Sequence, residues 1–292
     1  MELLNDFKVR QDSRLERFLS YVNGGKAARN GRGMLTVSNH TSVLDDPMLQ
    51  AALVGFRPAW NSENHRWGVC KKSICFKTPF HAAFTGAGKV IPVVVGDGLE
   101  QPLFKASARK LADGDWVHIF PEGACNQTGR VGVGTLRKKM EGYVVTRDED
   151  LAEKIGRLKW GAGKLVARVA FGESREPPLI VPYYHVGMQD VMPQRNLPDD
   201  NALKHVAPRV GKRVRVVVGD PVDVSDLIAE YEKKHGPRRL ASAVVDSVTN
   251  TERFQGWEGS TAPELELYSA ITRRIQHALE ALENEHRVNP VL

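Results

Sequence analysis

A short apolar strand that runs through a polar turn into a helix is the feature that most constrains the fold. Met34 to Val37 forms the predicted strand, Ser38-Asn39-His40-Thr41-Ser42 forms the turn, and the helix follows from about Pro47. Small polar residues favour helix starts because their oxygens accept hydrogen bonds from free first-turn amides. Asp45 follows His40 by five positions, which suits a base and the carboxylate that orients it, although ordinary turn and capping chemistry gives the same spacing.

A second strand-helix-strand pattern lies downstream. Lys89 to Val95 is a continuous apolar run, which is typical of a parallel strand buried on both faces. A helical pattern from Gln101 to Leu111 leads to a strand at Trp116 to Phe120, and Pro121-Glu122-Gly123 follows. Loops that follow parallel strands meet at one sheet edge, so Glu122 and the preceding polar turn are expected to share a crevice.

The fold class predicted from these units is α/β, with a mostly parallel sheet flanked by helices. The chain of 292 residues is expected to form a single domain over residues 1–292, with its core at about 34–223. An amphipathic helix is predicted at about 12–22, either packed on the domain or lying in lipid headgroups. An inserted loop is predicted at about 128–156 and an edge strand at 213–218. A C-terminal helix at about 264–285 is expected either to dock on the domain or to form a dimer contact.

The charge balance is mildly basic. Lys and Arg number 41 against 35 Asp and Glu, which gives a net charge of +6. Such an excess suits phospholipid headgroups or nucleic acid, and it is also common in ordinary soluble proteins. No aromatic stripe or nucleic-acid motif accompanies the cations, so we favour a membrane surface over nucleic acid. Trp60 and Trp67, in a segment rich in rings and cations, fit either a headgroup-level surface or the core.

The sequence predicts neither a membrane span nor a metal site. No stretch approaches the roughly 20 apolar residues that a span requires, so we expect a peripheral protein or one whose anchor has been removed. Cys70, Cys75 and Cys125 lack the spacing of zinc ligands, and we interpret them as reduced structural thiols. We expect no metal and no other cofactor.

Several blocks, in this order, resemble the glycerolipid acyltransferase superfamily and, within it, the tafazzin-like phospholipid-lysophospholipid transacylases. The His40-(four residues)-Asp45 spacing resembles the superfamily's catalytic motif, and Phe120-Pro121-Glu122-Gly123 resembles its acceptor-binding motif. The tafazzin-like blocks are Val37-Ser38-Asn39-His40 with Asp45-Asp46-Pro47, Ile74-Cys75-Phe76, Gly88-Lys89 with Ile91-Pro92-Val93 and Gly96-Asp97-Gly98, Gly114 to Gly123, Leu158-Lys159-Trp160-Gly161, and His185-Val186-Gly187-Met188.

This resemblance implies an acyltransferase that moves an acyl chain from a phospholipid to a lysophospholipid hydroxyl, as in cardiolipin remodelling. It implies catalysis by His40 and Asp45, and substrate binding by Asn39, Lys89, Phe120, Pro121, Glu122 and Gly123. The alternative for Glu122 is a carboxylate that only fixes the turn. Relatives commonly carry Arg where this chain has Val95, which leaves open the headgroup contact; Lys89 or the basic residues at 137–139 are candidates to replace it.

Two other functions stay open on the same sequence. One is an acyl-CoA-dependent lysophospholipid acyltransferase, and the more remote one is a membrane-binding protein without activity. The chain has no serine nucleophile motif, which favours direct transfer from donor to acceptor with His40 as general base. The resemblance implies phospholipid and lysophospholipid as partners, and a peripheral place on a mitochondrial membrane. A homo-oligomer is also possible on this sequence.

Overall fold

A mixed five-stranded sheet carries the site. The computed structural model describes residues 5–55, 64–94, 97–123, 125–127, 129–132, 136–137, 143–144, 158–172, 176–193, 207–238, 244–246, 251–253 and 260–291. Its strands are β1 (Asp6–Val9), β2 (Met34–Ser38), β3 (Gly68–Lys71), β4 (Val90–Val93), β5 (Trp116–Ile119), β6 (Leu136–Arg137), β7 (Tyr143–Val144), β8 (Leu179–Val186), β9 (Arg213–Val218), β10 (Val244–Asp246) and β11 (Thr251–Arg253).

The helices lie between these strands in the order of an α/β chain. They are α1 (Ser13–Asn23), α2 (Gly25–Ala28), α3 (Asp45–Val54), α4 (Lys72–Cys75), α5 (Pro79–Ala87), α6 (Pro102–Ala112), α7 (Gly161–Ala170), α8 (Met188–Val191), α9 (Ser225–His235) and α10 (Ala262–Val288). The predicted α/β class with a mostly parallel sheet is therefore confirmed.

The main sheet has the strand order β1-β9-β8-β2-β5. Strand β2 lies between β5 and β8 and runs parallel to both, whereas β8 and β9 are antiparallel. Val37 of β2 lies opposite Ile119 of β5, so the chain leaves both strands at the same edge. The predicted meeting of the His40 loop with the Glu122 loop follows from this register.

Two strand predictions were wrong. The segment 213–218 was expected at the sheet edge, but β9 lies between β1 and β8 and is buried from Val214 to Val218. The edge is β1, which pairs parallel to β9 and has an alternating exposed and half-buried pattern. Its four residues, Asp6–Val9, are too few and too mixed in polarity to indicate a strand on their own.

The apolar run that begins at Lys89 was expected to be buried on both faces, and this was also wrong. It forms β4, which pairs with β3 alone and buries only Ile91 among its four residues. This small sheet adjoins the main one through Trp67, which makes a parallel bridge to Val117. Pro92 lacks an amide hydrogen and suits such a peripheral strand. Val95 lies outside the described residues.

Helices cover both faces of the main sheet. On one face, Leu35 and Val37 of β2 belong to a core shared with α6, α7 and α10; on the other, Met34 packs with α1 and α3. Successive strand side chains point to opposite faces, which explains how β2 contributes to both cores. The predicted N-terminal helix is α1; it buries Leu15, Phe18 and Val22, so the domain-packed alternative is correct.

The C-terminal helix α10 begins at a capping box formed by Thr261 and Glu264. Its apolar face, which includes Ile271 and Ile275, docks on the domain against α7. Gly163 of α7 allows close approach, since a Cβ there would lie 2.1 Å from the Tyr268 carbonyl oxygen. Most of the predicted insertion at 128–156 lies outside the described residues, apart from short segments that include the antiparallel pair β6 and β7.

Candidate active site

His40 and Asp45 form a hydrogen-bonded pair where β2 leads into α3. The Nδ1 of His40 lies 2.9 Å from Oδ2 of Asp45. Asp45 is fully buried, and the backbone amides of Thr41 and Ser42 donate to the same oxygen over 2.6 and 2.8 Å. A carboxylate held in this way keeps the proton of a neutral imidazole on Nδ1, which leaves Nε2 as the basic atom.

The His40 ring is held in place on its other side by Phe120. The two rings stack with their centroids 4.0 Å apart and their planes 16° from parallel. The Nε2 atom faces Sγ of Cys125 at 3.1 Å, and 19% of the His40 side chain is exposed. The His40 ring therefore lies at a partly open position rather than in the core.

Opposing effects act on the pKa of His40. Burial favours the neutral ring, but the Cys125 sulfur and the Asp45 carboxylate outweigh it and raise the pKa well above its usual value. Two negative or polarisable neighbours stabilise the imidazolium, as expected for charges within hydrogen-bond distance. The shift favours the imidazolium, which is the form that the ring takes once it has accepted a proton.

Glu122 lies beside this pair. One of its carboxyl oxygens is 3.4 Å from the backbone nitrogen of His40, and the other is 3.4 Å from that of Gly132. Burial raises the pKa of Glu122 to about 8, although the positive charge on His40 acts in the opposite direction. Near neutral pH the side chain can therefore be a carboxylic acid, which both donates and accepts hydrogen bonds.

The corner that carries Glu122 is fixed by the backbone. Pro121 is buried, and its carbonyl accepts a hydrogen bond from the amide of Lys159 over 2.7 Å. Gly123 is exposed and has φ of 73°, a conformation that favours glycine. The structure thus brings together six of the predicted site residues: His40, Asp45, Phe120, Pro121, Glu122 and, at the adjoining turn, Gly123.

The side chains of Asn39 and Lys89 do not join this group of site residues. The Asn39 side chain is buried; its Nδ2 donates to the carbonyl of His185 over 2.8 Å, and its Oδ1 accepts from the His185 amide over 3.0 Å. Its amide group joins β2 to β8 instead of facing a crevice. Lys89 precedes β4, where its ammonium contacts the His65 carbonyl and the Trp67 ring, at the end of the strand opposite to the His40 edge.

Trp67 supports the core alternative rather than the headgroup one. Its indole nitrogen donates to Asp115 over 3.1 Å, and Lys110 lies over its ring at 4.5 Å. The indole N–H and the indole ring thus both have partners within the protein. Trp60 lies outside the described residues.

Two residues near the site were missed by sequence reasoning. His185 is buried, and its Nε2 lies 2.8 Å from the Asn39 carbonyl and 3.6 Å from Asp45. Burial lowers the pKa of His185, so it is a neutral support for the loop. Cys125 was interpreted as a structural thiol, yet it contacts His40; its position two residues beyond Gly123 was the available signal.

The interpretation of the cysteines as reduced thiols was wrong for Cys70 and Cys75, whereas Cys125 is a free thiol. Cys70 and Cys75 form a disulfide between β3 and the end of α4, with a Cα separation of 6.1 Å. A spacing of five residues gives no signal of pairing, because the turn that brings the two together is not visible in the sequence. No cluster of His, Cys, Asp and Glu suited to a metal ion occurs among the described residues.

Comparisons with known proteins give a family and several relatives for this chain. The family model described as Acyltransferase matches residues 19–186. The chain is 30% identical to N-acylphosphatidylethanolamine synthase of Arabidopsis thaliana over 262 residues, which cover 86% of this chain and 78% of that protein. It is 34% identical to Tafazzin of Drosophila melanogaster over 216 residues, or 74% of this chain and 47% of the relative.

Two further similarities complete the comparison. Taffazin of Dictyostelium discoideum is 32% identical over 200 residues, which cover 68% of this chain and 58% of that protein. The chain thus spans about half the length of these two tafazzins. Among solved structures, the 1-acyl-sn-glycerophosphate acyltransferase PlsC of Thermotoga maritima has a TM-score of 0.48 at 12% identity, covering 98% of this chain and 73% of PlsC.

Proposed function

Because this chain belongs to the acyltransferase family, we propose that it transfers a fatty acyl chain from a phospholipid to the hydroxyl of a lysophospholipid, with His40 as general base. The single observation that carries this proposal is the His40–Asp45 pair at 2.9 Å, beside the Glu122 corner and at a partly open position. Because the chain is similar to tafazzins, the proposal includes monolysocardiolipin as one acceptor.

The chemistry assigned to His40 is removal of the acceptor's hydroxyl proton. A lipid hydroxyl is a weak nucleophile, and proton transfer to a positioned imidazole accelerates such attacks by roughly 100- to 10,000-fold. Asp45 holds the ring through Nδ1, so that Nε2 faces away from the carboxylate, and it stabilises the imidazolium that forms. Asp45 is therefore a positioning residue, and His40 is the group that contacts the reacting atoms.

Glu122 is proposed to hold the glycerol part of the acceptor. Its carboxyl lies next to the His40 backbone, so a glycerol hydroxyl bound there would be within reach of the imidazole. A protonated carboxyl, favoured by the raised pKa, can donate to a lipid oxygen without bringing a second negative charge near a phosphate. Gly123, which is exposed, leaves room for the headgroup beside it.

A membrane surface is the proposed place of the reaction, and α4 with α5 supports it. Phe80 and Phe84 are 77% and 73% exposed, and Ile74 is 42% exposed. Lys72 and Lys77 are exposed in the same segment. Apolar rings beside cations suit insertion at the headgroup level of an anionic bilayer. Among the described helices, none has the length and apolar character to cross a membrane. A mitochondrial membrane is proposed from the tafazzin likeness alone.

A second candidate acceptor is the amine of phosphatidylethanolamine. The observation that favours it is the match to an N-acylphosphatidylethanolamine synthase over 86% of this chain. An amine loses a proton on acylation just as a hydroxyl does, so His40 would play the same part. This candidate changes the acceptor and leaves the site unchanged.

One assay tests these proposals together. Purified protein is incubated with labelled lysophosphatidylcholine, monolysocardiolipin or phosphatidylethanolamine, each with either dioleoyl phosphatidylcholine vesicles or oleoyl-CoA as donor. Acyl transfer from the vesicles to either lysolipid supports the transacylase. Transfer that requires oleoyl-CoA supports the CoA-dependent alternative, and product from phosphatidylethanolamine alone supports the second candidate. No product with any pair would contradict an acyltransferase function for the purified chain.

A further inference from the structure

The backbone that follows the Glu122 corner is held by the C-terminal helix. The Val131 amide donates to Oε2 of Glu283 in α10 over 2.9 Å. A second contact comes from β8, where the Tyr184 hydroxyl donates a hydrogen bond of 2.6 Å to the Gly129 carbonyl. Both contacts bind backbone atoms, so they fix the path of the chain rather than the side chains along it.

Glu283 is an exception to the apolar pattern of its helix face. The residue is 6% exposed, and Leu279 and Leu282 beside it belong to the main core. A buried carboxylate is costly unless hydrogen bonds and an opposite charge compensate. The Val131 amide supplies the hydrogen bond, and the Arg130 guanidinium, whose Nε lies 3.6 Å from Oε1, supplies the charge. The position of the carboxylate is therefore matched to the segment that it contacts.

The amide next to this contact faces the candidate acceptor site. The Gly132 nitrogen lies 3.4 Å from Oε1 of Glu122, and the His40 nitrogen lies 3.4 Å from Oε2. These distances are at the long end for hydrogen bonds, so a small movement of either amide would break its bond. Gly132 has φ of 70°, and glycine restricts the backbone less than any other residue. The direction of its amide therefore depends on the neighbouring bond between Val131 and Glu283.

We propose that Glu283 is a positioning residue for the acceptor site. It fixes the Val131 amide, the adjoining Gly132 amide then holds one oxygen of Glu122, and the carboxyl keeps one orientation for binding the acceptor's glycerol. This inference rests on the proposed acyl transfer and adds α10 to the site. Glu283 lies beyond residues 19–186, which the family model matches, so motif comparison gives no indication of its role.

The Val131 side chain allows this role of Glu283 to be separated from a role in stability. It is 5% exposed and belongs to the same core as α10, so it keeps the segment against the helix when the carboxylate is removed. Loss of the carboxylate should consequently turn the backbone amides without detaching the segment.

The test is steady-state kinetics with labelled lysophosphatidylcholine as acceptor and dioleoyl phosphatidylcholine vesicles as donor. Glu283→Met fills a similar volume but cannot accept the Val131 hydrogen bond. We expect the acceptor KM to rise roughly 5- to 10-fold, as for one lost hydrogen bond, with kcat and the donor KM close to wild-type values. Glu283→Gln keeps an oxygen acceptor and should restore most of the acceptor affinity. Glu266→Met, at an exposed position of the same helix, is the matched control and should behave as the wild type.

A double-mutant cycle with Glu122→Ala separates positioning from stability. If Glu283 acts through Glu122, Glu283→Met should leave the acceptor KM of the Glu122→Ala variant unchanged. An equal rise in both backgrounds, or no rise in the wild-type background, overturns the inference. Tyr184→Phe removes only the hydroxyl that binds Gly129 and loosens the same segment. Should Glu283→Met fail to fold, a raised acceptor KM in Tyr184→Phe supports the inference and an unchanged one overturns it.

The outcomes also separate this inference from the function on which it rests. Acyl transfer by the wild type, together with an unchanged acceptor KM in Glu283→Met, leaves the proposed function in place. An unchanged acceptor KM in Glu122→Ala would remove Glu122 from acceptor binding, and the inference with it. Absence of acyl transfer by the wild type from any donor would overturn the proposed function itself.

Discussion

The backbone amide of Asn126 donates a hydrogen bond of 2.5 Å to the carbonyl oxygen of His40. This bond joins the segment after β5 to the loop after β2. Residues 40 and 126 are 86 positions apart in the chain. Parallel pairing of the two strands brings their exits together, and the bond then sets the separation of the side chains beside it. The site is thus a product of sheet register followed by one local contact.

Replacement of Asp45 tests how the imidazole is oriented. Asp45→Asn keeps the shape of the side chain but removes the charge that holds the Nδ1 proton and stabilises the imidazolium. We expect turnover to fall by roughly 100-fold or more with a smaller change in KM, as for other triad carboxylates. Steady-state kinetics measures this. Asp226→Asn, which removes an exposed partner of Arg274, is the control and should keep wild-type turnover. Equal turnover in both variants would remove Asp45 from the mechanism.

Glu122 should make stability depend on pH. Its pKa is about 8 in the folded chain against an ordinary 4.5, so folding favours the protonated form. The stability that this group contributes is fully present below about pH 4.5 and is lost as pH rises through about 8. Gln is neutral throughout, so Glu122→Gln should unfold at a higher temperature than the wild type at about pH 9 and at a similar temperature at about pH 5. Differential scanning calorimetry measures this, and a constant difference between the two proteins at both pH values would contradict the raised pKa.

The exposed rings of α5 should determine binding to vesicles. Phe80→Gln/Phe84→Gln removes two apolar side chains that are 77% and 73% exposed, and each loses about 1.5 to 3 kcal/mol of burial in lipid. We expect binding to cardiolipin-containing vesicles in a flotation assay to weaken by roughly 100-fold or more. Val210→Gln is the matched control, since Val210 is 61% exposed in the segment before β9. Similar binding by both variants would mean that α5 is not the membrane surface.

Two glycines inside helices should respond to alanine in opposite directions. A Cβ on Gly163 would lie 2.1 Å from the Tyr268 carbonyl oxygen, so Gly163→Ala must push α7 and α10 apart, at a cost of about 1 to 3 kcal/mol. Gly86 of α5 has no atom within 4 Å of that position, so Gly86→Ala should stabilise the protein by about 0.5 kcal/mol. Urea unfolding measures both. A loss no larger for Gly163 than for Gly86 would contradict the close helix contact.

The sequence predicted those parts of the fold that depend on local pattern. Strand β2, helix α6, strand β5 and the long helix α10 follow apolar periodicity and cap residues, and their positions agree with the structure to within a few residues. The shared crevice of His40 and Glu122 could also be predicted, because parallel strands place their exits at one edge.

The parts that could not be predicted depend on tertiary contacts. Whether β9 lies at an edge is decided by β1, a four-residue strand from the other end of the chain. The contact between the Cys125 sulfur and the imidazole could not be predicted, because it depends on the backbone hydrogen bond of Asn126 to His40. The resemblance implied that Asn39 binds substrate, yet its amide joins β2 to β8 and is buried. Motif spacing indicates that a residue is near a site without showing which way its side chain points.

The most direct test of the central claim is acyl transfer by His40→Ala, compared with the wild type in the same assay of labelled lysophosphatidylcholine and dioleoyl phosphatidylcholine vesicles. Loss of the only group that can move the proton in this site's mechanism should lower turnover by roughly 100-fold or more. Circular dichroism and vesicle flotation should show that the variant is folded and still binds lipid. Wild-type turnover by His40→Ala would contradict the account, because the imidazole would then not be needed to remove the acceptor's proton.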